Sequence, residues 1–292
     1  MNRKLVWAAV VVGVLLGIWV LNESERRINE PLGYDKAIEN WEEPYLLKEE
    51  QLRIEDSLRL DSLEKLESRK NEQLEQLFLS LRQNRTPFLD KRDGEIYDSV
   101  KIGAYTWMAE NLRYDAPGSY LNPKNPHLLY GRLYDWATVM YLHEVYNEQL
   151  GYRVNRQHRG VCPNGWHLPT IEEWRDLEIA FGAEYYVGTD RHKADEIHPF
   201  WNGTHGRKMK TTFAWDPADA AAVNNRFNVL PAGQQYEKEA ESIGIGYMSC
   251  FWTTEEYNNF AAWARSFNAT EQGVNRTYVN KGMGCSCRCV KD

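Results

Sequence analysis

The uncharged apolar run Leu5–Leu21 (LVWAAVVVGVLLGIWVL) limits the organisation of this chain more than any other feature. It has no polar face, so it cannot lie half-buried on a globular core as an amphipathic helix does. As a helix it would extend roughly 26 Å, slightly short of the ~30 Å hydrocarbon core of a bilayer. Trp7 and Trp19 fall near the two interfaces, where amphipathic rings are favoured. A cleaved signal peptide would have a shorter apolar region and a small-x-small site after it, whereas here the run continues as Asn-Glu-Ser-Glu-Arg-Arg. The expectation is an uncleaved transmembrane signal anchor over residues 1–22. Arg3 and Lys4 favour a cytoplasmic N-terminal side, which makes the chain a single-pass inner-membrane protein whose C-terminal domain is periplasmic.

The composition of the whole chain hides this anchor, because mean hydropathy is −0.64. Much of that polarity sits in residues 23–86, which carry roughly five of the seven excess negative charges. From Leu46 onwards the spacing is helical. Leu60, Leu74 and Leu81 share one seven-residue register with Glu67, and Leu63 and Leu77 share the complementary one with Lys70. Glu67 and Lys70 cut this seam in half, so residues 23–86 read either as a solvated helical stalk or as a short coiled coil for self-association. Thr86-Pro87 closes the segment, since the residue before proline disfavours helix. With 42 acidic against 35 basic residues there is no basic face for nucleic acid, and none is expected as a partner.

Residues 87–292 change character, with Gly, Trp, Tyr and Asn rising and long helical periodicity fading. Glu95–Ile102 alternates as a strand between the turn pair Asp93-Gly94 and Gly103. Thr170-Ile-Glu-Glu173 is a capping box opening a helix to about Phe181, with Ile171, Trp174, Leu177 and Ala180 or Phe181 on its inner face. Ser249–Thr254, Ala261–Phe267, Val274–Asn280 and Cys285–Val290 read as short strands.

Six ordered blocks resemble the Fibrobacter succinogenes major paralogous domain family. They are Asp90–Leu112, Tyr130-Gly-Arg-Leu-Tyr-Asp-Trp136, Cys162-Pro-Asn-Gly-Trp-His-Leu-Pro-Thr170 with Glu173-Trp174, Leu230-Pro-Ala-Gly233, Phe251-Trp-Thr-Thr-Glu255 and Arg288-Cys-Val-Lys-Asp292. The resemblance implies an α+β domain of C-type-lectin-like and formylglycine-generating-enzyme-like fold, with short antiparallel sheets and few helices. It implies a cell-envelope location and pairs Cys162 with Cys289 in a disulfide. The chain departs from the family pattern at Cys285 and Cys287, and in apparent insertions over Phe181–Trp201 and Leu142–Arg159. Binding differences concentrate in long loops on a rigid frame. Tyr185, Tyr186, His192, His198, Trp201 and His205 are therefore the candidate binding surface.

All five cysteines, at 162, 250, 285, 287 and 289, lie in the globular part, where an exported domain retains disulfides. Cys250 could pair with Cys285 or Cys287 if their strands are neighbours. The alternative is a soft-metal or redox site built from Cys250, Cys285 and Cys287. No phosphate loop, His-Glu-x-x-His or Gly-x-Ser-x-Gly is present. His167, Glu110, Asn111, Asp135, Glu172, Glu173, Glu255 and Glu256 read as packed or turn residues rather than as a catalytic set. The calcium-and-sugar triplet Glu-Pro-Asn of sugar-binding lectins is missing, so fold likeness does not carry lectin activity over.

These readings converge on a membrane-anchored envelope protein. It presents a non-catalytic binding or structural domain for an envelope protein or glycan, and no cofactor is expected. Two alternatives stand beside it. One is a metal/thiol enzyme of the formylglycine-generating type; the other is a stalk-driven subunit of a membrane-associated complex.

Overall fold

The structure is a computed structural model, and it describes residues 35–81, 85–124, 126–151, 157–184, 203–218, 226–235 and 242–292. The expected anchor at Leu5–Leu21 lies outside the described residues. Among the described residues no helix is long and apolar enough to cross a membrane. The chain divides into two compact units, Met1–Asn71 and Glu72–Asp292.

Helix α1 is continuous over Asp35–Leu81, 47 residues or roughly 70 Å. It begins well before Leu46, where the apolar spacing starts, and it runs through Pro44. The segment Asp35–Glu43 supplies enough helix-forming residues to extend the helix upstream. Leu52, Ile54, Leu58, Leu60, Leu63 and Leu66 are all exposed.

In the second unit, strand β1 (Thr86–Leu89) is an edge strand, which explains how it accommodates Pro87. β2 (Ile96–Ile102) and β3 (Tyr105–Met108) form a hairpin turning at Gly103. α2 (Trp136–Val139) is a single turn capped by Asp135, which accepts from Thr138 N at 2.7 Å. β4 (Trp166–His167) is followed by α3 (Ile171–Ala180), whose N-terminus is the expected capping box. Then come α4 (His205–Met209), β5 (Gln234–Gln235) and β6 (Ser242–Ile243). β7 (Met248–Glu256), β8 (Ala261–Asn268) and β9 (Asn275–Asn280) form a meander, and β10 (Val290–Lys291) ends the sequence. All strand pairs within the three sheets are antiparallel, in the orders β1-β2-β3-β10-β4, β5-β6 and β7-β8-β9. The result is mixed helix and sheet, with small antiparallel sheets and few helices.

Cys285–Val290 is not the regular strand that its alternation suggests; only Val290 and Lys291 pair as one. Gly284–Cys289 instead runs through the interior and bonds to a different element at almost every step. Gly284 exchanges backbone bonds with Gln235, and Cys285 with Tyr134. Ser286 N donates to Cys250 O, Cys287 O accepts from Leu112 N, and Cys289 O accepts from Met108 N. A single straight partner strand could not supply these groups, so the segment satisfies its buried backbone piecemeal. Gly284 is required by the close approach, since a Cβ there would lie 1.8 Å from Tyr120 Oη.

One core cluster gathers Tyr97, Tyr134, Trp136, Trp252 and the five cysteines; another gathers Trp107, Trp174, Phe227, Phe251 and Phe267. Arg288 lies beside the second. Its Nε donates to Asn111 Oδ1 at 2.8 Å, Nη2 donates to Asn228 O at 2.8 Å, and Nη1 donates to Phe227 O. The guanidinium stacks 4.4 Å from the Phe227 ring centroid. Burial first, then the nearby Arg85 charge, lower the Arg288 pKa to about 9, which still leaves it charged at neutral pH. Asn111 completes the knot by donating to Tyr130 O at 2.8 Å and to Ser286 Oγ at 3.3 Å. Asn111→Ala leaves several buried polar groups without partners. It should lower unfolding free energy by about 2–4 kcal/mol, read as a shift in the urea midpoint at constant slope. A change within about 0.5 kcal/mol, typical of a neutral surface site, would contradict this role.

Candidate functional site

Among the described residues, three polar or sulfur clusters and one exposed aromatic face stand out as places for chemistry or binding. The first is sulfur. Cys162 and Cys289 form a disulfide with Cα atoms 5.9 Å apart, tying the Cys-Pro-Asn-Gly-Trp loop to the end of the interior segment. Its sequence separation of 127 residues makes it worth about 4–5 kcal/mol in a chain-entropy model. The second bridge open to Cys250 is not formed: Cys250, Cys285 and Cys287 are all buried free thiols. Cys250 does neighbour the interior segment, but it meets Cys285 as a hydrogen-bonded thiol pair. Burial pushes the Cys285 and Cys287 thiols far above their ordinary range, so neither is a ready nucleophile. The three sulfurs that cluster most closely are Cys162, Cys287 and Cys289, within 4.8 Å of one another, not the Cys250-Cys285-Cys287 set.

The second cluster surrounds Glu178 on α3, which is fully buried. Arg265 Nε and Arg276 Nε each donate to its carboxylate at 2.8 Å, and the His205 ring lies 3.2 Å away. Burial alone would raise the Glu178 pKa, but the two arginines and His205 outweigh it and hold the group well below the usual carboxylate range. His205 is therefore an interior residue, 1% exposed, rather than part of a binding surface. Its position at the start of α4 points the ring at Glu178 instead of at solvent. Tyr185, Tyr186, His192, His198 and Trp201 lie outside the described residues.

His167 on β4 is the centre of the third cluster. Its Nδ1 is 2.7 Å from Asp292 Oδ1, and its Nε2 is 2.7 Å from Glu173 Oε1. The other Glu173 oxygen accepts from Thr170 N at 2.9 Å, so one carboxylate both caps α3 and holds the imidazole. Burial lowers the His167 pKa, but the hydrogen bonds that its ring donates to the Glu173 and Asp292 carboxylates prevail and raise it overall.

The remaining acidic pairs are structural. Glu110 accepts from Asp98 N at 2.7 Å and pairs with Arg113. Glu255 accepts from Ile171 N at 3.0 Å at the N-terminus of α3, while Glu256 accepts from Gly151 N at 2.8 Å and pairs with Lys281. Lys281 Nζ also donates to Tyr146 O and Gln149 O, which fastens part of the Leu142–Arg159 segment to the frame.

An exposed aromatic face escaped the sequence reading. Tyr257 and Tyr278 stack with centroids 3.9 Å apart and planes 6° from parallel, and Trp263 meets both edge-on. Phe260, in the β7–β8 turn, is 58% exposed, against 43% for Tyr257 and 48% for Tyr278. The signal available in the sequence was the alternation of β8 and β9, which places Trp263 opposite Tyr278. Tyr257 joins them only through the turn geometry.

These features define a disulfide-stapled α+β domain whose motif residues bind one another. The chain belongs to the Fibrobacter succinogenes major domain family, whose profile matches residues 100–291. No curated protein and no solved structure matches the chain.

Two consequences are measurable. Glu178→Gln removes the charge that two buried arginines share and should cost about 3–5 kcal/mol of stability; a loss below about 1 kcal/mol in urea titrations would contradict a shared counter-ion. His167 has a folded-state pKa above its ordinary 6.5, so its stabilising contribution is complete below about pH 6.5. It is lost as pH rises through the folded-state value. The stability gap between the native chain and His167→Gln should therefore narrow with rising pH. A gap that widened would reverse the sign of the interaction.

Proposed function

We propose that this protein is a single-pass, inner-membrane-anchored envelope protein that presents a non-catalytic, C-type-lectin-like binding or structural domain in the periplasm. The ligand in this reading is an envelope protein or glycan. The observation that carries it is the exposed Tyr257–Tyr278 stack, with exposed Phe260 in the β7–β8 turn, on a sheet whose opposite side packs into a stapled core. Exposed aromatic rings bring large contact area at low entropic cost, and they suit both apolar side chains and the C–H faces of sugar rings. Asn258 Oδ1 accepts from Phe260 N and Ala261 N at 2.9 Å each, which fixes the turn that carries Phe260. The buried acids and bases hold each other and the backbone, which suits a rigid presenting frame better than an acid-base catalyst.

The test is affinity capture from a solubilised host envelope, with the full chain in mild detergent compared against the Tyr257→Ala/Tyr278→Ala double variant. The native chain should retain a defined protein or glycan and the variant at most about a tenth as much, with little change in melting temperature. Equal retention by both would remove the aromatic face from the account.

A second reading rests on a separate observation, the exposed leucines along α1. They suit self-association of a stalk or its assembly into a membrane complex. Crosslinking in membranes should give dimers that are lost in a Leu58→Ser/Leu63→Ser/Leu66→Ser variant; dimer bands that persist unchanged would exclude the helix as their source.

A further inference from the structure

Lys281, just after β9, is fully buried and joins three parts of the chain. Its N donates to Phe260 O at 2.8 Å, and its O accepts from Trp136 N at 2.7 Å. Its Nζ donates to Gln149 O at 2.9 Å and to Tyr146 O at 3.2 Å, pairs with Glu256, and lies 4.6 Å from the Trp136 ring centroid. A buried ammonium is tolerated only when it is paired and hydrogen-bonded in this way. Glu256, the sequence neighbour of Tyr257, in turn accepts from Gly151 N at 2.8 Å. Residues 144–151 are thereby fixed against the turn that carries Phe260 and against the strand end that carries Tyr257. The exposed side chains of these elements share one character. Leu150 is 57% exposed and Val145 40%, and they add to Tyr257, Phe260 and Tyr278. Glu144 and Glu148 are exposed, and among the described residues neither has an ion-pair partner. No Lys or Arg is exposed within residues 144–151, 256–260 or 278–281.

We propose that residues 144–151 and the Tyr257–Tyr278 face form one binding surface for a cationic, apolar peptide segment of a partner protein, with Lys281 positioning its two halves. The proposal rests on the reading that the aromatic face binds. It narrows the ligand from protein or glycan to a peptide with Lys or Arg beside aliphatic or aromatic side chains. Exposed apolar groups gathered on a rigid frame mark an interaction site, and carboxylates left without a counter-charge beside them select cations. The partner's apolar side chains cover Leu150 and the tyrosine rings, and its cations meet Glu144 and Glu148. A neutral glycan has no charge to set against these carboxylates, and an acidic segment is repelled by them.

The test pans a display library of random peptides of about ten residues over the full chain in mild detergent. The native chain should enrich peptides that combine Lys or Arg with Leu, Phe or Tyr. Synthetic copies of these should bind Glu144→Gln/Glu148→Gln about three- to tenfold more weakly at physiological salt, a difference that vanishes at about 1 M salt. They should bind Tyr257→Ala/Tyr278→Ala at least about tenfold more weakly. Lys281→Met should bind them as weakly as the double glutamine variant and lose the same salt dependence, which a general loss of stability would not imitate. If Lys281→Met does not fold, Leu150→Ser, at an exposed site, should weaken binding about fivefold, and an unchanged affinity overturns the proposal. Enriched peptides without net positive charge, or equal affinity for the native chain and the glutamine variant (the sign of peptides held by acidic α1), also overturn it. So does a glycan array that binds where no peptide does. Loss of binding in the tyrosine variant alone strikes the carboxylate half and leaves the aromatic face standing. Loss in the glutamine variant alone strikes the aromatic face and the joint surface with it.

Discussion

The domain depends on the interior course of Gly284–Cys289. A buried backbone must pair its N–H and C=O groups or forfeit their hydration. Here the pairing is spread over Gln235, Tyr134, Cys250 and the Met108–Leu112 stretch, which lie far apart in sequence. The bonds bring separate stretches of chain to the same axis, so the segment organises elements that are individually too short to be stable. β5, β6 and β10 have only two residues apiece, and α2 has four. Arg288 and Cys289 then lock the segment, one through three oxygen acceptors and the other through a covalent bond.

Buried charge is the second organising device. Glu178, Arg265, Arg276 and Arg288 are almost wholly removed from solvent. Such groups are tolerated only when paired or richly hydrogen-bonded, and breaking one arrangement costs more than the pair contributes net. They therefore favour a unique packing over a merely compact one. The same commitment explains why the acidic and imidazole side chains that attract attention in the sequence serve as caps, anchors and counter-ions. Among the described residues, the exposed rings of Tyr257 and Tyr278 at the β7–β9 meander remain available to a partner.

Much of the frame was legible in the sequence because it follows local rules. The Thr170–Glu173 capping box, the β2 strand after Asp93-Gly94 and the three strands of the meander stand close to where turn chemistry and alternation put them. The Cys162–Cys289 bridge followed from family resemblance, not from spacing. Long-range features were not legible. Nothing local distinguishes Cys285–Cys289 from an ordinary strand, because its partners come from three separate stretches, Met108–Leu112, Tyr134 and Cys250–Trp252. Glu178 looks like a solvent-facing helix residue until Arg265 and Arg276, some ninety residues away in sequence, are brought to it. His205 belongs with the candidate binding surface on the strength of the apparent insertion over Phe181–Trp201 just before it, yet the first turn of α4 directs it inward.

Native-state hydrogen exchange tests the central claim most directly. If Gly284–Cys289 is the axis of the domain, the amides of Cys285, Ser286, Leu112, Met108 and Tyr134 should exchange only through global unfolding. Their protection should then fall together with denaturant, at the slope of the whole second unit. If Cys285 and Ser286 exchange through local opening while the β7–β9 meander stays protected, the segment is a late addition to the fold and the account is wrong.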